Sequence, residues 1–335
     1  MRLVSPGGKG AQVTWLVMTG GHKSAWLLRG RRGAVTVIGE TGVAGIPPGA
    51  RVAEVRLGGR FRLDERINAA GGLSVWKATD ALLGRPVAIH LLPPGREVPR
   101  HVVAAVQAAA RVNDPRLATI YDADYGTGAP YIVSEWTRGT HLEDLVLSGL
   151  PRPALAAAMI ADAADALAVA HEAGRPHLCL SPRCLRWDTS TGLKITGLGI
   201  DAALSGADAS DPGAADTRAL AGMLYALLTG YWPGDEPTAL PPAPSHRGHV
   251  YTPRQVRAGV PGILDAITCR ALQAGAPRSV LTPAGLAMAL RSVQRPSYPA
   301  MRPADGCAPV PERGRRVRRA RSGVRHRTTL LRPAA

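Results

Sequence analysis

Two cysteines, Cys179 and Cys184, stand in the stretch GRPHLCLSPRCLRW at 174–187, and they are the side chains here with the plainest capacity for chemistry. At C-x4-C spacing on one loop they could form a disulfide or hold a soft metal ion. A zinc site needs three or four ligands of N, S or O type, and no third and fourth are evident in the sequence. Small packed thiols in a turn are the favoured reading, with no metal expected. His90, in the run VAIH, is a second candidate. An imidazole whose ordinary pKa is about 6.5 is mostly neutral at pH 7. A packed or hydrogen-bonded His90 is therefore favoured over one that binds phosphate.

These residues must be positioned by elements that the hydrophobic pattern marks out. FRLDERI, SVWKATD and PVAIHLL are short β-rich runs separated by Gly or Pro, which predicts a three-stranded antiparallel start from Phe61. A helix is predicted over VPRHVVAAVQAAARVND, ended by Pro115. LATIYDADYG and APYIVSEW follow as a strand pair. Beyond Trp136 the period becomes helical, with helices predicted over 153–173, 217–229, 261–273 and 282–293, the last opened by Thr282–Pro283. The segment IDAALSGADASDPGAAD reads as a flexible, acidic loop rich in small residues. The fold class is α+β: a small β-rich lobe at 58–136 and a larger helical lobe at 137–295, flanked by disordered segments at 1–57 and 296–335.

The net charge of +16 does not mark the whole chain as a nucleic-acid binder. Residues 1–60 carry nine Lys/Arg against two acids and residues 302–335 ten against two, so the body between them is nearly neutral. The Arg-rich tail reads as solvated chain rather than as a site for anionic membrane or nucleic acid, although both remain open. Four cysteines in a chain of 335 residues make no disulfide framework. No window reaches the roughly 18 uninterrupted apolar residues of a membrane span. The expectation is a cytoplasmic protein, which a partner would bring to the inner face of the membrane.

The order of these runs resembles the protein-kinase fold over about residues 61–293. VAIH (87–90) stands where that family has V-A-I-K, SEW (134–136) where it has its hinge, and HLCLSP (177–182) where it has H-R-D-L-K-P. KITGLG (194–199) is similar to the strand running into D-F-G, and DTRALAGMLYALLTGYWP (216–233) to the central helix of the larger lobe. The resemblance implies a vestigial nucleotide pocket from Gly71, Gly72, Val75, Ala88, Glu135 and Trp136, with His177 and Asp216 as a loop-supporting pair. It also implies that the chemical positions are degenerate. His90 replaces the lysine, the glutamate partner falls near Ala105, Cys179 replaces the loop aspartate, Cys184 the asparagine, and Gly197 the metal-binding aspartate. Arg186 falls where the floor beneath adenine is usually apolar.

Magnesium is a hard ion that takes oxygen ligands, and phosphoryl transfer rests on positioning and charge stabilisation. Removing one oriented group typically costs about 3–4 kcal/mol of transition-state stabilisation, although such losses are not additive. The expectation is therefore a non-enzyme, a regulatory or scaffolding module without a cofactor. The alternative is a divergent Ser/Thr protein kinase of low activity, with ATP bound weakly or without magnesium. WKATDALLGRPVAIHLLPPG, HLCLSPRCLR and KITGLGIDAALSG further resemble the actinobacterial pseudokinases linked to MurJ/MviN, the lipid II flippase. That resemblance implies a role in peptidoglycan synthesis, with the flippase and a forkhead-associated-domain protein as partners. The chain departs from the group in having no threonine over 197–215, where it has Ser205 and Ser210.

Overall fold

The computed structural model describes residues 56–70, 73–93, 97–126, 129–273 and 282–293, with four short strands nearer the N-terminus. Those four pair antiparallel as β1 (Leu3–Val4) with β2 (Trp15–Leu16), and β3 (Trp26–Arg29) with β4 (Val35–Ile38). The remainder of the predicted disordered ends, and Gly71 and Gly72, lie outside the described residues.

A six-stranded antiparallel sheet occupies the first half of the described chain. It comprises β5 (Arg56–Leu57), β6 (Phe61–Ala70), β7 (Leu73–Asp80), β8 (Arg85–Leu91), β9 (Ile120–Asp124) and β10 (Tyr131–Glu135), in the order β5-β6-β7-β8-β10-β9. Leu57 pairs with Phe61, so the sheet begins before residue 58. In β7 the buried positions alternate, with Ser74, Trp76, Ala78 and Asp80 turned inward, the period-2 pattern of a strand with one core face. Trp76, Ile89 and Val133 join Phe61 and Leu63 in that core. β8 is buried on both faces, and its second face carries Ala88 and His90. Helix α1 (Arg100–Ala109) packs Val102 and Val106 against Leu92, Ile132 and Ile200.

The second half is mainly helical. α2 (Leu142–Ser148) follows β11 (Thr140–His141), and α3 (Pro153–Glu172) leads to the pair β12 (Leu185–Asp188) and β13 (Gly192–Ile195). α4 (Asp201–Ser205) and α5 (Pro212–Thr229) come next, then the hairpin β14 (Ser245–His246) and β15 (His249–Val250). α6 (Pro253–Val256), α7 (Gly262–Leu272) and α8 (Pro283–Arg291) complete it. α3 is long and apolar enough to cross a membrane, yet most of it is buried. Its alanines let α5 and α8 approach closely, and the shared core takes in Ile160, Leu167, Leu220, Leu224, Leu227 and Leu286. α5 begins five residues before the predicted 217, because Asp211 caps it by accepting the Ala214 N–H at 3.0 Å. α8 opens on Thr282 as the sequence indicates, its hydroxyl accepting from Gly285 N–H at 3.1 Å.

The loop predicted from residue 201 is corrected at its start. Asp201–Ser205 is a helical turn, and Ala202, Ala203 and Leu204 suit one by propensity. Ile200 anchors it in the apolar cluster beneath α1.

Candidate functional site

The site is built around Asp216, which α5 delivers buried to the loop that follows α3. Its carboxylate accepts the backbone N–H groups of His177 and Leu178, each at 2.7 Å, and lies 2.7 Å from His171 Nε2. Those two bonds hold Leu178 at φ 61°, a region that costs a branched residue of order 1–3 kcal/mol and persists only when its surroundings fix it. The turn continues with Cys179 N–H donating to His177 O at 2.8 Å and Cys184 N–H to Ser181 O at 2.9 Å. The His177 imidazole is fully buried, with Nε2 2.8 Å from the Thr196 carbonyl. A carbonyl only accepts, so Nε2 carries a proton, and in the neutral imidazole Nδ1 is then the lone-pair nitrogen. Nδ1 is buried without a hydrogen-bond partner among the described residues.

Gly197 and Gly199 lie across from this loop, at φ 91° and 70°. A Cβ on Gly197 would collide with the Asp201 carboxylate, and one on Gly199 with Ala109 Cβ, as well as standing 3.1 Å from the Ala105 carbonyl. Position 199 is thus glycine because α1 passes against it, and position 197 because a carboxylate from four residues downstream takes the space. Burial raises the Asp201 pKa, opposed by His90 and His177. Burial likewise lowers that of His90, opposed by Asp201. His90 Nε2 lies 3.4 Å from Ser134 Oγ and its Nδ1 has no hydrogen-bond partner among the described residues.

One ion pair joins β10 to the helical half, and a polar cluster forms just beyond that strand. Lys194 Nζ meets the Glu135 carboxylate at 2.7 Å. Arg186 donates to the Gly139 carbonyl at 2.9 Å and reaches His141 Nε2 at 2.7 Å, while His141 Nδ1 lies 2.7 Å from the Arg183 carbonyl. The carbonyl fixes the proton on Nδ1, which leaves Nε2 to accept from the guanidinium. Burial, then the Arg186 charge, lowers the His141 pKa and keeps it neutral. Trp136 stands between two cations, with Lys77 Nζ 5.3 Å and Arg186 Cζ 5.6 Å from its ring.

The candidate residues read from the sequence are brought together only in part. Val75 pairs with His90, and Ala88 with Ser134, across neighbouring strands. Cys184 is buried, but Cys179 is half-exposed, its Sγ 3.3 Å from Ser205 Oγ at the rim. Cys179, Cys184 and Cys269 are free thiols. Burial pushes the Cys184 thiol up to about 12. Ala105 offers only its carbonyl near Gly199. Asp201 is the residue sequence reasoning missed, and its spacing four residues after Gly197 was the one signal available. Magnesium does not fit the side chains at 184 and 197, a thiol and none at all. A concavity of about 530 Å3 opens on the helical half beside the 177–179 turn, lined by Leu178, Asp216, Gly222, Tyr225, Trp232 and Tyr251.

No family model matches the chain. It is similar to the serine/threonine-protein kinase PknB of Mycolicibacterium smegmatis, 30% identical over 251 residues, covering 64% of this chain and 40% of that protein. It is also similar to the serine/threonine-protein kinase PrkC of Bacillus subtilis, 27% identical over 217 residues, covering 57% and 34%. The probable serine/threonine-protein kinase PknB of Corynebacterium glutamicum is 30% identical over 158 residues, covering 44% and 24%. The chain thus spans about a quarter to two fifths of the length of these curated relatives. These relatives overturn the expectation of a non-enzyme, because all three are named as kinases. That expectation rested on the replaced side chains at 90, 179, 184 and 197, each read by itself. The homologues of this chain are serine/threonine protein kinases, and they support a protein-kinase-like fold.

Proposed function

We propose that the chain is a divergent Ser/Thr protein kinase of bilobal form, with weak nucleotide binding and low activity. The observation that carries this reading is the carboxylate of Asp201, which fills the space beside Gly197 and so keeps an acid in the cleft between His90 and His177. Asp216 supports the reading further, because it fixes the backbone of the 177–179 turn that must present any reacting group. The neutral His90 and the thiol at Cys179 supply neither the cation nor the carboxylate of an efficient phosphotransferase. Each such absence typically costs about 3–4 kcal/mol, which accounts for a slow enzyme.

Radiolabelled ATP with the full chain and generic Ser/Thr acceptors tests it, with Mg2+ or Mn2+ supplied. Slow incorporation that survives denaturing gel purification and falls at least tenfold in Asp201→Asn is expected. Incorporation no higher than that of heat-denatured protein would refute it.

A regulatory link to peptidoglycan precursor export, with the flippase and a forkhead-associated-domain protein as partners, is proposed on the sequence resemblance alone. Ser205 on α4 and Ser210 beyond it, both exposed, are the residues in the 197–215 segment through which phosphorylation would add an Arg-pairable charge. Co-purification with each partner, with Ser205→Ala beside wild type, checks it; no enrichment of either would remove it.

A further inference from the structure

We propose that His177, Cys184 and Asp201 form a binding site for one borderline divalent transition ion of the zinc type. One ligand atom from each of the three lies within 4.8 Å of the others. A tetrahedral ion with bonds of about 2.0 Å to nitrogen and 2.3 Å to sulfur sets neighbouring ligand atoms roughly 3.5 Å apart. The widest pair must therefore close by about an ångström. Asp201, half-buried at the start of the five-residue helix α4, is the ligand that the proposal requires to close this gap.

The second observation is the state of His177. Its Nε2–H is committed to the Thr196 carbonyl at 2.8 Å, and its Nδ1 lone pair is fully buried without a hydrogen-bond partner among the described residues. A buried polar atom left unpaired in a folded protein calls for an explanation. An imidazole held by N–H···O=C on one nitrogen, with the other free, is the arrangement that orients a metal-ligating histidine. Cys184 is 7% exposed, and its thiol makes only long contacts, 3.4 Å to the Cys179 carbonyl and 3.5 Å to Ser181 Oγ. Binding would form a metal–sulfur bond, break the S–H bond and release that proton to solvent.

The donor set selects the ion. One thiolate, one imidazole and one carboxylate suit zinc or cobalt and disfavour magnesium and calcium, which require oxygen. Three protein ligands leave the fourth tetrahedral position to an exogenous ligand, as in catalytic rather than structural zinc sites. His177 and Asp201 stand outside the positions at which the kinase resemblance implies metal ligands. The inference does not depend on phosphoryl transfer, because ion binding is read without nucleotide.

The test titrates Co2+ into the chelator-treated full chain and follows the thiolate-to-cobalt charge-transfer band, with Zn2+ and excess Mg2+ as competitors. One ion per chain is expected, with the band abolished by Zn2+ and unmoved by Mg2+. Cys184→Ala should lose the band, Asp201→Asn should weaken binding at least tenfold, and Cys179→Ala should retain both. Asp201→Asn, altered at a half-exposed position, keeps the test decisive should the core variant misfold. The absence of a band in wild type overturns the proposal. So does a band unchanged in Asp201→Asn, kept in folded Cys184→Ala, lost in folded Cys179→Ala, or displaced by Mg2+.

Discussion

At the scale of single residues, Asp216 fixes the 177–179 turn and Asp201 occupies the space beside Gly197. Asp216→Ala would leave the buried N–H groups of His177 and Leu178 without their acceptor. An unmet buried donor costs about 1–3 kcal/mol, so a loss of roughly 3 kcal/mol in unfolding free energy is expected by denaturant titration. A loss below about 1 kcal/mol would show that the turn is held by something else. Gly197→Asp makes the opposite case. Restoring an acid at 197 puts its Cβ against the Asp201 carboxylate at a backbone angle of 91°, so that variant should be destabilised. Adding Asp201→Ala should recover a measurable part of the loss. Purely additive effects of the two changes would count against a shared space.

At the scale of elements, the β7–β8 turn has the clearest pH dependence. Asp80 accepts from Arg60 at 2.9 and 2.6 Å, and from the Leu82 and Leu83 N–H groups. The Arg60 hydrogen bond lowers its pKa from 3.8 to about 2. A carboxyl whose folded pKa is depressed contributes stability above its unfolded pKa and loses it as pH falls through the folded value. The melting temperatures of wild type and Asp80→Asn should therefore differ at pH 6 and converge from pH 4 toward pH 2. A constant gap across that range would contradict the assignment. The contact of α1 with the 197–199 turn gives a second case. Gly199→Ala would meet Ala109 Cβ and adopt a disfavoured left-handed φ, so α1 should exchange its amide hydrogens faster in that variant. Unchanged protection in α1 would mean that the helix and the turn move independently.

At the scale of the whole molecule, the strands and long helices were legible because their apolar periods are strong. β7 alternates cleanly, and α3 and α5 are long runs whose ends carry Gly or Thr signals. The helical turn at Asp201–Ser205 was not legible, since small residues near Gly206 read equally as loop and only the burial of Ile200 decides it. The cleft was legible for what it lacks and not for what it holds. Substitutions at 90, 179, 184 and 197 are visible one position at a time. The approach of Asp201 to His177 and Cys184 is a product of tertiary packing.

The central claim is that one carboxylate, carried from position 201 into the space beside Gly197, sustains what activity the cleft has. Single-turnover phosphoryl transfer tests it most directly, measured side by side on wild type, Asp201→Asn and the double variant Gly197→Asp/Asp201→Ala. The expected result is slow transfer in wild type, a loss of at least tenfold in Asp201→Asn, and transfer retained in the double variant, whose carboxylate returns to 197. Equal rates in all three, or no transfer in wild type, would contradict it.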